Sequence, residues 1–172
     1  MDFGFQDRSD DYPSRRLPTP QWIERREPVI YSDWTQRAPL ARRQHDAFCH
    51  DGFLVVENLF QPSEIKALES ELSRLRQAPS SLQGETVIAE RGSDDVRSIF
   101  AIHRQSMMFK NLARDQRLLD IASYILDDDV YVHQSRLNYK RGFAGKEFYW
   151  HSDFETWHVE DGMPAMRAVS VS

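Results

Sequence analysis

The spacing of apolar positions along the chain predicts three helices. Residues 40–50 and 108–126 repeat apolar side chains at helical intervals, and Pro62 can open another helix between them. Gly52 supplies a stop for the first helix. The helix that Pro62 opens has an apolar stripe, which predicts a face packed in the core: Ile65, Leu68, Leu72 and Leu75.

Alternating or continuous apolar runs predict strands between and after these helices. Phe53–Phe60, Arg97–His103 and Val130–Lys140 fit strands, and the last is the longest. A turn that contains Gly142 and Gly145 then returns the chain to a strand around His151. The final residues, 166–172, also have a strand-like pattern, and residues 78–95 are polar and predict a loop or an irregular hairpin. With no closing turn after residue 172, we expect a sheet that is cut in its middle.

Residues 1–39 are predicted to form an N-terminal arm, and residues 40–172 to form part of a single domain. The arm contains five prolines and has no sustained periodicity, so it is either disordered or draped over a folded body. Its aromatic residues, among them Trp22 and Trp34, favour the draped arrangement because disordered tails are poor in aromatics.

Composition and charge exclude several classes of protein. The net charge of −5 argues against binding to nucleic acid, which needs a basic face. We expect no contact with a membrane, because the chain has no apolar run of the required length and begins with no leader-like segment. Cys49 is the only cysteine, which suits a reducing cytoplasm and predicts a cytoplasmic location.

The triplet His151-Ser152-Asp153 is the strongest candidate for chemistry. On a strand, residues two apart point to the same side, so the imidazole and the carboxylate could both reach one metal ion. These are two ligands of the 2-His-1-carboxylate triad that holds Fe(II). The alternative is a histidine beside an unrelated acid. A second alternative is a zinc hydrolase in which His158, five residues after Asp153, supplies the third ligand.

The longest predicted strand has polar residues on one face. Gln134, Arg136, Asn138 and Lys140 share one parity. Two interpretations remain open from this pattern. The residues either form the wet side of an antiparallel sheet, or they line a barrel interior that binds small carboxylate-containing molecules.

Several blocks of sequence resemble one enzyme family. The blocks are Tyr12-Pro13-Ser14-Arg15, Asp94–Phe100, Asp129–Lys140, Gly145–Phe148 and Trp150–Pro164. Together they resemble the ectoine hydroxylases, which are phytanoyl-CoA-hydroxylase-like Fe(II)/2-oxoglutarate dioxygenases. Tyr149 and Arg141 depart from the family pattern, but neither stands at a ligand position.

The resemblance implies a fold and a set of site residues. The fold is mainly β with flanking helices: a double-stranded β-helix (jelly roll, cupin-like) that is incomplete at the C-terminus. His151 and Asp153 would bind iron, and Lys140, Asn138 and Phe148 would contact 2-oxoglutarate. The remaining matched positions would surround ectoine: Gln134, Thr156, Trp157 and Ser170.

The resemblance also implies a reaction, namely hydroxylation of L-ectoine to 5-hydroxyectoine with Fe(II), 2-oxoglutarate and O2, and it suggests a homodimer. In this family the second histidine ligand and an arginine for 2-oxoglutarate come from later strands. We therefore expect these 172 residues alone to be inactive. Alternatives are a related dioxygenase for another small zwitterion and a non-catalytic ectoine-binding fragment.

Overall fold

The computed structural model describes residues 12, 19, 24–77, 86–89, 96–139 and 151–172. The chain divides into two compact units. The first unit combines Met1–Pro28 with Phe148–Ser172, and the second is Val29–Glu147. No helix among the described residues has both the length and the apolar character that a bilayer crossing requires.

The second unit begins with two helices whose ends follow from the sequence. Helix α1 spans Arg42–Asp51 and ends at Gly52, which has a φ of 75°. Such a left-handed residue is the usual end of a helix, and glycine adopts it at little cost. Helix α2 spans Pro62–Gln77 and has proline at its first position. Both helices confirm the predictions from apolar spacing.

The prediction of a strand at Phe53–Phe60 is wrong. These residues lie in no strand, and Phe53 and Val55 are 65% and 71% exposed. Asn58 adopts a φ of 57° within a turn, which no extended strand accommodates. A strand requires a partner to complete its backbone hydrogen bonds, and the apolar run by itself does not supply one.

A three-stranded antiparallel sheet forms the centre of the second unit. Its strands are β1 (Val87–Ala89), β2 (Val96–Phe100) and β3 (Arg136–Asn138), in the order β1-β2-β3. The register is irregular between residues 88 and 89, where Val96 pairs with Ala89 although Ser98 pairs with Ile88. This bulge adds one residue to β2, so Val96 comes to the same face as Ile99.

One face of the sheet and residues of three helices enclose the core. Leu75 and Ile99 are completely buried, and Val96, Ile102 and Phe109 pack with them. Leu68, Leu72 and Leu137 adjoin this cluster, so most of the predicted stripe of α2 lies in the core. Ile65, the first residue of the stripe, is 42% exposed instead.

The predicted helix at residues 108–126 is divided in two. The two parts are α4 (Met107–Leu112) and α5 (Gln116–Leu126). A further short helix, α3 (Ile102–Gln105), precedes them. Asp115 ends the continuity because its side chain accepts a hydrogen bond from the backbone N–H of Arg117 and so caps α5. The strand predicted at Arg97–His103 is confirmed, but it ends at Phe100, where α3 takes over.

Part of the predicted arm packs within the second unit. The N–H of Tyr31 donates to the carbonyl of Ile125 at 2.8 Å, and Ile30 is 6% exposed. The indole N–H of Trp34 donates to the carbonyl of Leu40 at 3.0 Å. These residues therefore contact other parts of the second unit, and the arrangement of residues 1–39 as one draped arm stays a prediction.

The described part of the first unit has one helix, α6 (Asp153–Glu160). Phe154 and His158 of this helix form an aromatic group with Tyr12, with ring centroids 4.8–5.4 Å apart. No residue in 166–172 lies in a strand, so the strand predicted there is wrong. The described residues as a whole contain six helices and three short strands, and thus show more helix than the predicted mainly β fold.

Candidate active site

His151 and Asp153 lie at the start of a helix, and the prediction that they share a strand is wrong. Asp153 is the first residue of α6, and Ser152 is its cap. The Ser152 hydroxyl accepts a hydrogen bond from the backbone N–H of Glu155 at 3.4 Å. Asp153 and Glu155 place acidic side chains in the first turn, where the helix dipole favours them. These local interactions favour a helix over an extended chain.

The two candidate ligands are nevertheless brought together. His151 Nε2 lies 3.4 Å from Asp153 Oδ1, and the two side chains are 49% and 38% exposed. Metal–ligand bonds to imidazole nitrogen and carboxylate oxygen are about 2.0–2.2 Å long, so two ligand atoms of one ion lie at most about 4 Å apart. The separation fits a shared ion. One nitrogen and one carboxylate oxygen also belong to the donor set that holds non-heme Fe(II).

No third metal ligand accompanies this pair in the part of the chain that the structure describes. Within those residues no three His, Cys, Asp or Glu side chains are grouped around a possible ion. The alternative in which His158 completes a zinc site is therefore not supported. His158 Nδ1 instead donates to the carbonyl of Met163 at 2.6 Å, and its ring stacks on Phe154.

The predicted substrate residues Thr156 and Trp157 follow Asp153 on the same helix. They are three and four residues beyond it, and residues at these intervals lie on the same side of a helix. Both side chains are partly buried. Ser170 is exposed and belongs to the same unit, while Phe148 lies outside the described residues. The helix thus presents the Asp153 carboxylate, a hydroxyl and an indole from adjacent turns.

In the second unit, Asn138 lies on strand β3 with its side chain on the polar face. Asn138 pairs with Ser98, whereas Leu137 pairs with the core residue Ile99. The Ser98 hydroxyl donates to Asn138 Oδ1 at 2.9 Å. Gln134 is exposed and precedes β3, and Lys140 lies outside the described residues. The predicted alternation of polar and core residues is confirmed for residues 136–138, the only part of Val130–Lys140 described as a strand.

A histidine contacts the residue that precedes this strand. His103 contacts the Ser135 hydroxyl through its ring Nδ1, and its backbone N–H donates to the same oxygen at 3.3 Å. Burial and the nearby cations Arg104 and Lys110 lower the pKa of His103. His103 thus links its helix, Ile102–Gln105, to the residue that precedes β3.

Two serines, one in each unit, contact candidate site residues and were not predicted from the sequence. Ser152 caps the helix that carries Asp153. Its signal was present, because Ser152 and Glu155 have the serine-to-glutamate spacing that is typical of helix starts. Ser98 could be linked to Asn138 only through the strand register, which the sequence did not reveal.

Comparison with known proteins supports the resemblance. The model of the family described as phytanoyl-CoA dioxygenase (PhyH) matches residues 48–172. The ectoine dioxygenase of Sphingopyxis alaskensis is 51% identical over 163 residues, which are 95% of this chain and 53% of that protein. The ectoine dioxygenase of Stutzerimonas stutzeri is 49% identical over 165 residues, which are 96% of this chain and 55% of that protein. The chain spans about half the length of the curated relatives it matches.

Solved structures give the same result at the level of the fold. The crystal structure of EctD from S. alaskensis with bound Fe superposes with a TM-score of 0.88 and 51% identity, covering 92% of this chain and 56% of that chain. The EctD structure from S. alaskensis with 2-oxoglutarate and 5-hydroxyectoine gives the same values. The resemblance predicted from the sequence is confirmed.

Proposed function

The chain belongs to the phytanoyl-CoA dioxygenase (PhyH) family, and on that premise we propose that a full-length protein carrying it hydroxylates L-ectoine to 5-hydroxyectoine. The observation that carries the proposal is the likeness over nearly the whole chain to ectoine dioxygenases and to EctD, whose crystal structures contain Fe or 2-oxoglutarate with 5-hydroxyectoine. The chain covers only about half of these relatives, so the activity is proposed for a protein of their full length.

The proposed fold of that protein is a double-stranded β-helix of the cupin type. The high structural similarity to EctD supports it, and the antiparallel sheet β1-β2-β3 would be one part of it. The part of the relatives that this chain does not match would supply the remaining strands. We also expect that part to supply the second histidine ligand of iron and an arginine for 2-oxoglutarate.

In the proposed reaction, His151 and Asp153 hold the iron. Bound Fe(II) supplies the chemistry that couples oxidative decarboxylation of 2-oxoglutarate by O2 to substrate hydroxylation. One oxygen atom enters ectoine, the other enters succinate, and CO2 is released. An imidazole and a carboxylate leave coordination positions of the ion open for ligands, and this is the contribution of these two side chains. Their separation of 3.4 Å supports the assignment.

The other predicted residues would bind and orient the two small molecules. A lysine such as Lys140 can pair with a carboxylate of 2-oxoglutarate, and the Asn138 amide can donate hydrogen bonds to it. Phe148 would supply an apolar wall. Around ectoine, Trp157 can pack on the delocalised cation of the ring, while polar side chains bond its edges and carboxylate: Gln134, Thr156 and Ser170.

The test is ectoine-dependent formation of succinate and 5-hydroxyectoine by the full-length protein with Fe(II) and O2. Asp153→Ala and His151→Ala should each abolish turnover and lower the iron content, because each removes one ligand. Glu160→Ala removes an exposed carboxylate from the other end of α6 and serves as the matched control. An Asp153→Ala protein that keeps near-normal activity and iron would contradict the assignment.

The same assay separates the alternatives. Succinate formation with another small zwitterion, and not with ectoine, would indicate a related dioxygenase. Ectoine binding by the isolated 172-residue chain without turnover would indicate a binding fragment. The cytoplasmic location and the homodimer stay predictions.

A further inference from the structure

Ser98 is a buried polar residue on the polar face of the sheet. It is 5% exposed, and the core residues Val96 and Ile99 lie on the same strand, β2. Strand β3 places the exposed Asn138 directly opposite it. The Ser98 hydroxyl donates to Asn138 Oδ1 at 2.9 Å. A buried residue of one strand thus holds an accessible amide of the next.

This hydrogen bond engages the oxygen end of the amide. The asparagine side chain ends in an oxygen that only accepts and a nitrogen that only donates. In the structure Ser98 donates to the oxygen, so the NH2 group of the amide is directed away from Ser98. A free amide could turn over and present its oxygen instead, which repels a carboxylate or a keto oxygen.

We propose that Ser98 is a positioning residue for 2-oxoglutarate: its hydrogen bond orients the Asn138 amide so that the NH2 group donates to the cosubstrate. This inference rests on the proposed function, in which Asn138 contacts 2-oxoglutarate. The burial of Ser98 supports it. A small apolar side chain would fill the same strand position without the cost of burying a hydroxyl, so the hydroxyl is needed for its partner Asn138.

The central experiment measures KM for 2-oxoglutarate in the full-length enzyme. Ser98→Ala should raise this KM about 3- to 10-fold, which corresponds to about 0.6–1.4 kcal/mol of lost hydrogen bonding. The KM for ectoine and kcat at saturating 2-oxoglutarate should stay unchanged. Ser98→Thr keeps the hydroxyl and should restore the KM for 2-oxoglutarate.

A second set of variants separates orientation from general damage. Ser98→Ala should have no further effect on KM in an Asn138→Ala background, because the amide that it orients is gone. Asn138→Asp should raise KM for 2-oxoglutarate more than Ser98→Ala does, since it presents an acceptor oxygen to an anion. If Ser98→Ala does not fold, Ser98→Cys retains the shape with a much weaker donor and should give the same rise in KM.

Ser106→Ala is the matched control for a buried serine. Ser106 is 4% exposed and its hydroxyl donates to Glu71 Oε1 at 2.6 Å, away from Asn138. This variant should lower thermal stability and leave KM for 2-oxoglutarate unchanged.

Three results would overturn the inference, and they differ in what else they affect. An unchanged KM in Ser98→Ala, with a raised KM in Asn138→Ala, would reject the role of Ser98 and leave the proposed function intact. An unchanged KM in Asn138→Ala would reject the role of both residues. A full-length protein that forms no succinate from 2-oxoglutarate would reject the proposed function and the inference with it.

Discussion

Glu71 should make the second unit less stable at acidic pH. Its carboxylate bonds Arg74 at 2.7 Å and accepts the Ser106 hydroxyl at 2.6 Å, and only 14% of the side chain is exposed. The bonds from Arg74 lower the pKa of Glu71, burial opposes them, and the bond from Ser106 lowers the pKa further. The result is a pKa of about 2, compared with an ordinary value of 4.5. The charged form therefore stabilises the folded chain.

The contribution of Glu71 to the free energy of unfolding follows from the difference between its pKa values in the folded and unfolded chain. One pKa unit corresponds to about 1.36 kcal/mol, so a depression of this size contributes about 3 kcal/mol when the group is fully ionised. Because the folded pKa lies below the unfolded pKa, this stability is present above the unfolded value of 4.5. It is lost as the pH falls from there towards about 2. Between about pH 6 and about pH 3, the loss should be about 2 kcal/mol.

Urea unfolding across this pH range tests the prediction with Glu71→Gln. Glutamine keeps the shape and can still accept the Ser106 hydroxyl, but it cannot ionise. The free energy of unfolding of the wild type should exceed that of the variant most at neutral pH, and the difference should shrink by about 2 kcal/mol towards about pH 3. Glu69→Gln removes a charge from an exposed position of the same helix and corrects for net charge. A difference that stays constant with pH would refute the reasoning.

Three further predictions concern the core and α6. Leu75→Ala should lower the free energy of unfolding by about 2–5 kcal/mol because Leu75 is completely buried, whereas Ile65→Ala, on the same helix at 42% exposure, should cost well under half of that in urea titrations. Trp157→Ala should raise KM for ectoine or lower kcat and leave the iron content unchanged; loss of iron with intact ectoine affinity would contradict its role. Ser152→Ala should weaken iron binding in a metal titration, because it removes the cap that fixes the start of α6, and Ser152→Asp should restore it.

Helix α2 was predictable because its signals are local. Pro62 marks its first turn, and the leucines from Leu68 to Leu75 recur at the helical period and pack in the core. The period alone could not show that Ile65 stays exposed, since burial depends on how far the neighbouring elements reach. It also could not show the division of residues 108–126, where the cap at Asp115 interrupts an apolar pattern that continues on both sides.

The strands were less predictable because each depends on a partner distant in sequence. Residues 53–56 have the apolar composition of a strand and lie in none, whereas β3 includes only three described residues of the longest predicted strand. The register of β2 with β3 joins residues about 40 positions apart and decides that Ser98 meets Asn138. That pairing is the physical reason why the positioning role of Ser98 could not be inferred from the sequence.

For the candidate iron ligands too, contacts between residues close in sequence could be predicted, whereas contacts with distant residues could not. His151 and Asp153 were expected to meet through the alternation of a strand, and they meet instead at the start of a helix. Ser152, which lies between them, has an extended backbone with a φ of −102° and a ψ of 123°, so the two side chains meet as they would on a strand although Asp153 begins a helix. The spacing of 3.4 Å is set by Ser152, Glu155 and the first turn, all within five residues. Because no third ligand lies beside the pair among the described residues, a complete iron site would need a side chain from a distant segment, which the spacing of His151 and Asp153 could not predict.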